Sequence, residues 1–250
     1  MPPEYYIYVI ASVLILPAIL FAMYAQFKVI SAFNKYSTVP SQIGITAAQL
    51  AEKLLREHGC EHVQVEQCRG HLSDHYDPRK KVVRLSSEVY GSTSLAALGI
   101  AAHEVGHAIQ DKTNYVPLKL RQIVIKSTSL INRLLVPLII IGLIASIFTT
   151  GMMVMGIPAE NFFFWLIIAF CTLYAISFVI NVITLPTEYD ASRRAKRMLV
   201  DANILVCEDE RRGVASVLGA AALTYVAALI ISLVYLLRFL GLALMMSRRR

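Results

Sequence analysis

Long apolar runs with few charged residues constrain this 250-residue chain more than any other feature. The runs lie at about 5–27, 134–155, 162–185 and 214–246. Each is long enough to cross the hydrocarbon core of a bilayer as a helix, which takes about 20 apolar residues. The composition agrees, because only 16% of the residues are charged, whereas soluble domains carry about 25%. The sequence therefore predicts an α-helical polytopic membrane protein.

The apolar runs and the polar stretches between them divide the chain into five segments. We expect an N-terminal transmembrane anchor at 1–27, a polar domain at 28–133 and a transmembrane hairpin at 134–185. The polar domain resumes at 186–224, and a C-terminal transmembrane helix with a basic tail occupies 225–250. The boundary near 225 follows from the last run, which is too long for one ordinary span and begins with small, Ala-rich residues.

Lysines and arginines border both polar stretches, while the N-terminal tip and the hairpin tip carry none. Positive residues favour the cytoplasmic side of a membrane, so we expect the polar domain in the cytoplasm and the N-terminus outside. The terminal residues 248–250, all arginine, disagree: either the last run does not fully cross, or these charges are outweighed. The net charge of +7 lies beside apolar runs without a nucleic-acid-binding motif. It therefore indicates a lipid-bilayer partner and no nucleic acid.

A His-Glu-x-x-His motif at 103–107 lies in the first polar stretch. On a helix, His103 and His107 share one face, so both imidazoles can reach one metal ion. Glu104 adjoins them and can act as a base toward water, the arrangement that zinc-dependent peptide hydrolysis needs. We expect a helix at 94–110 capped by Ser92 or Thr93. The ordinary alternative is a helix that happens to carry two surface histidines.

Two histidines leave a catalytic zinc one protein ligand short. No histidine follows His107, but Glu188 and Asp190 come directly after an apolar run, where Thr187 is expected to open a helix. A hairpin returns the chain to the side it left, so either acid can meet the motif. Spacing alone leaves open which acid is the ligand, or whether both are ordinary solvated acids.

Other features of the polar domain indicate a small α+β unit. Thr46 and Gln49 predict a capping box that begins a helix reaching about residue 58. Residues 62–68 and 81–86 are typical of short strands, and residues 70–78 of a loop. Residues 82–86 could pair with an extended substrate or serve only as structure. The four cysteines form no C-x-x-C pair and decide nothing.

Several polar residues are further candidates for the site. An oxyanion stabiliser could be His75, Tyr189 or Arg193, which the sequence does not rank. His71 and His75 could also bind metal, although a solvated loop is the ordinary interpretation for both.

Four motifs together carry a resemblance to a known family: His75-Tyr76-Asp77-Pro78, Val83-Arg84-Leu85-Ser86, the run from Gly99 to Ala108, and the run from Leu185 to Ser192. In these motifs and in its apolar runs the chain resembles the YugP-type neutral zinc metallopeptidases of bacterial membranes. More distantly it is similar to HtpX-type and CAAX prenyl endopeptidases. The HtpX-type pattern has an Asp four residues after the ligand Glu, whereas this chain has Ser192 there and Asp190 two residues on.

The resemblance implies a small zincin-like (gluzincin) domain in a multi-pass protein of the bacterial plasma membrane. It also implies one Zn²⁺ per chain, held by His103, His107 and Glu188, with Glu104 as general base. We therefore expect a membrane-embedded zinc metalloendopeptidase that acts on proteins or peptides, membrane proteins included.

Three other functions compete with this expectation. A non-catalytic zinc-binding membrane scaffold or quality-control adaptor would carry the same ligands. A site-2-type protease would draw an Asp ligand from a Leu-Asp-Gly motif, which is absent from the sequence. A transporter would usually need ionisable residues within its membrane helices, which here carry almost none except Arg238.

Overall fold

A computed structural model describes residues 2–124, 133, 137, 140, 144 and 160–248. Most of the first arm of the expected hairpin, at 134–155, lies outside the described residues. The helices are α1 (Pro3–Ser37), α2 (Ala47–Glu57), α3 (Ser87–Tyr90), α4 (Leu95–Lys112), α5 (Glu160–Asp201) and α6 (Glu208–Ser247). The strands are β1 (Gln64–Cys68), β2 (His75–Asp77) and β3 (Val82–Ser86). Residues 116–124 are also helical.

Three of these helices, α1, α5 and α6, are long and apolar enough to cross a membrane. The mostly helical architecture with a small mixed sheet agrees with the expected fold class at this level. One element differs from the expectation, because no helix begins at Thr187. Instead α5 continues from the apolar run straight through Pro186. The Thr187 hydroxyl donates to the Ile183 carbonyl at 3.1 Å, a local hydrogen bond on the turn that the proline disturbs.

The chain folds into two compact units. The first comprises Met1–Ala22, Arg121–Val182 and Val226–Arg250. Within it, Arg248 at the end of α6 pairs with Glu4 at the start of α1, with Nε 2.7 Å from the carboxylate. The end of the last apolar helix thus meets the start of the first, so the described termini lie at the same end of this unit.

The second unit comprises Met23–Leu120 and Ile183–Tyr225 and contains the sheet. Its strand order is β1-β3-β2, with β1 parallel and β2 antiparallel to β3. The expected capping box of α2 is confirmed, since the Thr46 side chain and the Gln49 side chain each bond the other residue's backbone. The core is formed by fully buried leucines from four elements, namely Leu50, Leu54, Leu85, Leu98 and Leu199.

One expectation about the strands is wrong, and one open alternative is decided. The stretch 70–78 contains β2 and is not entirely a loop. Residues 82–86 form β3, which pairs on both sides and so has no free edge for a substrate. In the described part of the chain β2 forms one edge of the sheet. Pairing with β3 makes a strand of β2, a tertiary effect that its three residues do not reveal.

Candidate metal centre

Helix α4 carries the His-Glu-x-x-His motif through the interior of the second unit. Its cap is Ser94, whose hydroxyl accepts from the Ala97 N–H at 3.2 Å, rather than Ser92 or Thr93. Most of its residues are buried, because Ala and Gly let neighbouring elements approach on several sides. The motif is therefore fixed in the core of the unit and is not a surface helix.

The two motif histidines and Glu188 lie together. Oε2 of Glu188 is 3.2 Å from Nε2 of His103 and 3.6 Å from Nε2 of His107. The three ligand atoms lie within 4.8 Å of one another, and Glu188 is 2% exposed. Such burial excludes the interpretation of Glu188 as an ordinary solvated acid.

Asp190, the other acid that spacing allowed, faces different partners. Its carboxylate accepts from Arg193 at 2.7 Å and from Arg194 at 2.6 Å. Residues two apart on a helix project about 200° from one another, so Glu188 and Asp190 leave α5 on different faces. The described structure thus brings Glu188, not Asp190, to the histidines.

The donor set fits zinc. Tetrahedral zinc with bonds of about 2.0–2.2 Å to nitrogen and oxygen separates neighbouring ligand atoms by roughly 3.3 Å. The two distances from Glu188 to the histidines, 3.2 and 3.6 Å, lie close to that separation. Two imidazoles and one carboxylate are also a set that catalytic zinc sites use.

Each histidine ring also has a partner at Nδ1, the ring nitrogen that does not face Glu188. Nδ1 of His103 lies 3.1 Å from the Ser192 hydroxyl, and Nδ1 of His107 lies 3.0 Å from Oε1 of Gln110. Such partners fix the ring orientation and the tautomer of a ligand histidine. Both rings therefore present Nε2 to Glu188. Ser192 takes this supporting position at the place where HtpX-type sequences have an Asp.

Gln110 links α4 to α5, a role that sequence reasoning missed. Fully buried, it donates to the Thr187 carbonyl at 2.8 Å and to Oδ2 of Asp190 at 3.0 Å. One side chain thus holds His107 and the segment that carries Glu188. The sequence could have indicated this role, because Gln110 lies three residues after His107 on the same helix face.

The two helices pack closely at Gly106. A Cβ there would lie 2.8 Å from the Ala191 carbonyl oxygen, a backbone atom that no side-chain movement can relieve. A glycine in the middle of the motif therefore permits α5 to bring Glu188 and Ser192 up to the histidines.

Glu104 lines the same cavity as His103 and Glu188. Burial raises the pKa of its carboxyl to about 7, the negative charges of Glu188 and Asp74 act in the same direction, and the charge of His103 opposes them. A carboxyl with such a pKa can exchange a proton near neutral pH.

The remaining candidates from the sequence lie outside the group. His71 bonds Glu88 at 2.6 Å, and His75 bonds the Ser73 carbonyl at 2.8 Å. Tyr189 is 65% exposed, and the Arg193 side chain is engaged with Asp190. The described structure brings none of the four to the three ligand atoms.

Residues 11–244 match the family described as "Putative neutral zinc metallopeptidase". The chain belongs to this family. It is also 40% identical over 220 residues to a Bacillus subtilis (strain 168) protein named "Putative membrane protease YugP", across 87% of this chain and 89% of that one. No solved structure matches the chain. The resemblance drawn from the motifs is thereby confirmed.

In this member of the family the candidate metal centre lines a cavity of about 200 Å³. Its polar lining includes His103, Glu104, Glu188, Ser192 and Asp74. Most of its other lining residues are apolar, and Tyr225 completes the wall. Asp74 accepts from the Ser86 N–H at 2.7 Å and from the Ser86 hydroxyl at 3.1 Å, and burial raises its pKa.

Proposed function

We propose that this protein is a membrane-embedded zinc metalloendopeptidase with a gluzincin-like site. His103, His107 and Glu188 hold one zinc ion per chain, and Glu104 is the general base. The observation that carries the proposal is the position of Glu188 Oε2, within 3.2 and 3.6 Å of the two histidine nitrogens. The family match adds to it independently.

Each residue of the site has its own role in the proposed hydrolysis. Zinc, when bound, supplies a Lewis acid that polarises a peptide carbonyl and lowers the pKa of water. Glu104 takes the proton from the attacking water on its carboxylate and then gives it to the leaving amine. Ser192 and Gln110 hold the two imidazoles in place from behind. The small α+β unit around the site serves as a zincin-like catalytic domain.

Strand β2 is the better candidate for pairing with an extended substrate. It lies at one edge of the described sheet, and the Tyr76 backbone hydrogen-bonds to the Glu104 carboxyl. A peptide added to this edge would pass the base, which β3 in the middle of the sheet does not allow.

The cellular setting follows from the apolar helices. Three candidate spans and the distribution of Lys and Arg support a multi-pass protein of the bacterial plasma membrane. We infer that the site faces the cytoplasm and acts on proteins or peptides, membrane proteins included, and not on nucleic acid. Labelling of introduced cysteines by a membrane-impermeant maleimide in intact cells tests the orientation.

The zinc content of purified variants tests whether Glu188 or Asp190 is the third ligand. We expect about one zinc per polypeptide in detergent-purified wild type and in Asp190→Asn, and little in Glu188→Ala. Retention of zinc by Glu188→Ala together with loss from Asp190→Asn would reverse the assignment.

Peptidase activity then distinguishes a zinc metalloendopeptidase from a non-catalytic zinc-binding scaffold. Glu104→Gln keeps the size of the side chain but removes the base, so we expect it to bind zinc fully and cleave no peptide. Equal peptidase rates in zinc-loaded wild type and Glu104→Gln would reject catalysis and favour a zinc-binding scaffold.

A further inference from the structure

The apolar part of the cavity beside the metal centre is built by several elements of the second unit. Its walls come from α1, the 70–74 loop, α4 and α6, and include Phe33, Leu72, Ile100, Val217, Leu218 and Ala221. Five branched or aromatic side chains, Val217 among them, surround the space, and the small side chain of Ala221 leaves it open.

Size and polarity identify the kind of group that fits. By a comparable measure an enclosed cavity of about 150 Å³ lined by Leu, Ile and Phe stays dry and binds benzene. At about 200 Å³ this cavity holds an isobutyl or a benzyl group. An acidic side chain would lose its hydration against these walls and would meet the carboxyl groups of Asp74, Glu104 and Glu188 in the same cavity.

The position of the cavity identifies where that group belongs on a substrate. The same space is bounded by His103, Glu104 and Glu188, the residues assigned to the zinc and the base. A side chain that fills the apolar part therefore places its own backbone at the reacting atoms. The walls from α1 and α6 belong to helices that continue into candidate membrane spans, so apolar substrate segments suit the site.

We propose that this cavity is the specificity pocket and receives a large apolar side chain, such as Leu or Phe, next to the scissile bond. The inference rests on the proposed function and names its substrate class: peptide bonds flanked by a large apolar residue. Ala221 and Ile100 set the size of side chain accepted.

Binding to the zinc-loaded Glu104→Gln variant tests this without turnover. Fluorescent peptides that differ only by Leu or Ala at one position are titrated by anisotropy into the full-length protein in phosphatidylcholine nanodiscs. We expect the Leu peptide to bind about tenfold more tightly, since each buried CH₂ adds about 0.8 kcal/mol and burial here is incomplete. Adding Ala221→Phe should reduce the preference below about twofold, because the ring occupies the pocket.

Ala215→Phe is the matched control, because it adds the same ring to the same helix at an exposed position outside the cavity. It should keep the Leu preference. If Ala221→Phe does not fold, Ile100→Ala replaces it and should raise affinity for a Phe peptide relative to a Leu peptide.

Equal affinity for the Leu and Ala peptides, or no binding of either, would overturn the pocket and leave a lipid acyl chain as its occupant. An equal loss of preference in Ala215→Phe would overturn it as well. A third outcome separates the two proposals. If Ala221→Phe removes the Leu preference but zinc-loaded wild type cleaves no peptide, the pocket is supported and the proposed function is rejected.

Discussion

The Ser192 hydroxyl lies 3.1 Å from Nδ1 of His103. Ser192 comes four residues after Glu188, one helical turn later, so one face of α5 provides both a candidate ligand and the support for a candidate ligand. A neutral hydroxyl therefore orients this imidazole. It orients the ring without adding another carboxyl group to those of Glu104, Glu188 and Asp74, which line the same cavity.

Removing this hydroxyl should weaken zinc binding without unfolding the protein. Loss of an outer partner of a ligand histidine typically costs 10–100-fold in metal affinity, and a neutral partner belongs at the lower end. We expect Ser192→Ala to bind zinc about tenfold more weakly in a competition titration with a chromogenic chelator. Ser216→Ala, on α6 and away from the cavity, is the control and should match wild type. Unchanged affinity in Ser192→Ala would remove Ser192 from the site.

Gln110 should matter for both metal and stability, because it bonds His107, the Thr187 carbonyl and Asp190. Gln110→Ala leaves the buried Thr187 carbonyl without this donor, which costs about 1–3 kcal/mol of unfolding free energy. Zinc affinity should fall by roughly 10–100-fold as the ring loses its support. The exposed Gln67→Ala should change neither quantity. A stability loss with unchanged zinc affinity would limit Gln110 to a structural role.

Local patterns explain which parts of this protein the sequence could predict. The spacing of His103 and His107 and the capping box at Thr46 depend on neighbours within one helical turn. The apolar runs depend only on composition and length. The histidine spacing, the capping box and the apolar runs of α1, α5 and α6 appear in the described structure where the sequence placed them.

The features that the sequence did not reveal depend on distant partners. Thr187 was expected to open a helix, yet α5 passes through this position and through Pro186 before it. β2 is three polar or aromatic residues that become a strand by pairing with β3. Spacing could not rank Glu188 against Asp190, because the contacts that separate them come from α4. Gln110 looked like an ordinary helical residue until Asp190, 80 residues later, was placed beside it.

The close approach of α4 and α5 predicts opposite effects for two glycine substitutions. Gly106→Ala would place Cβ 2.8 Å from the Ala191 carbonyl oxygen, so α5 must shift and carry Glu188 with it. We expect a loss of about 1–3 kcal/mol in unfolding free energy and a clear fall in zinc affinity. Gly219→Ala on α6 meets no atom within 4 Å and should gain about 0.5–1 kcal/mol.

Thermal unfolding and the same chelator titration measure both glycine variants. Gly219→Ala controls for the added methyl group and for the change in helix propensity. Wild-type zinc affinity in Gly106→Ala would show that the helices can separate without disturbing the ligands.

Leu72 combines backbone strain with a place in the cavity wall. Its φ is 48°, in the left-handed region. Among the described residues other than glycine, only Lys81, Asn114 and Asn203 share this conformation. Asn tolerates that conformation better than a branched apolar residue does. Leu72→Asn should therefore keep or slightly raise the melting temperature while weakening the preference for a Leu peptide, because the wall becomes polar. A lower melting temperature with unchanged peptide preference would show that Leu72 serves packing and not the pocket.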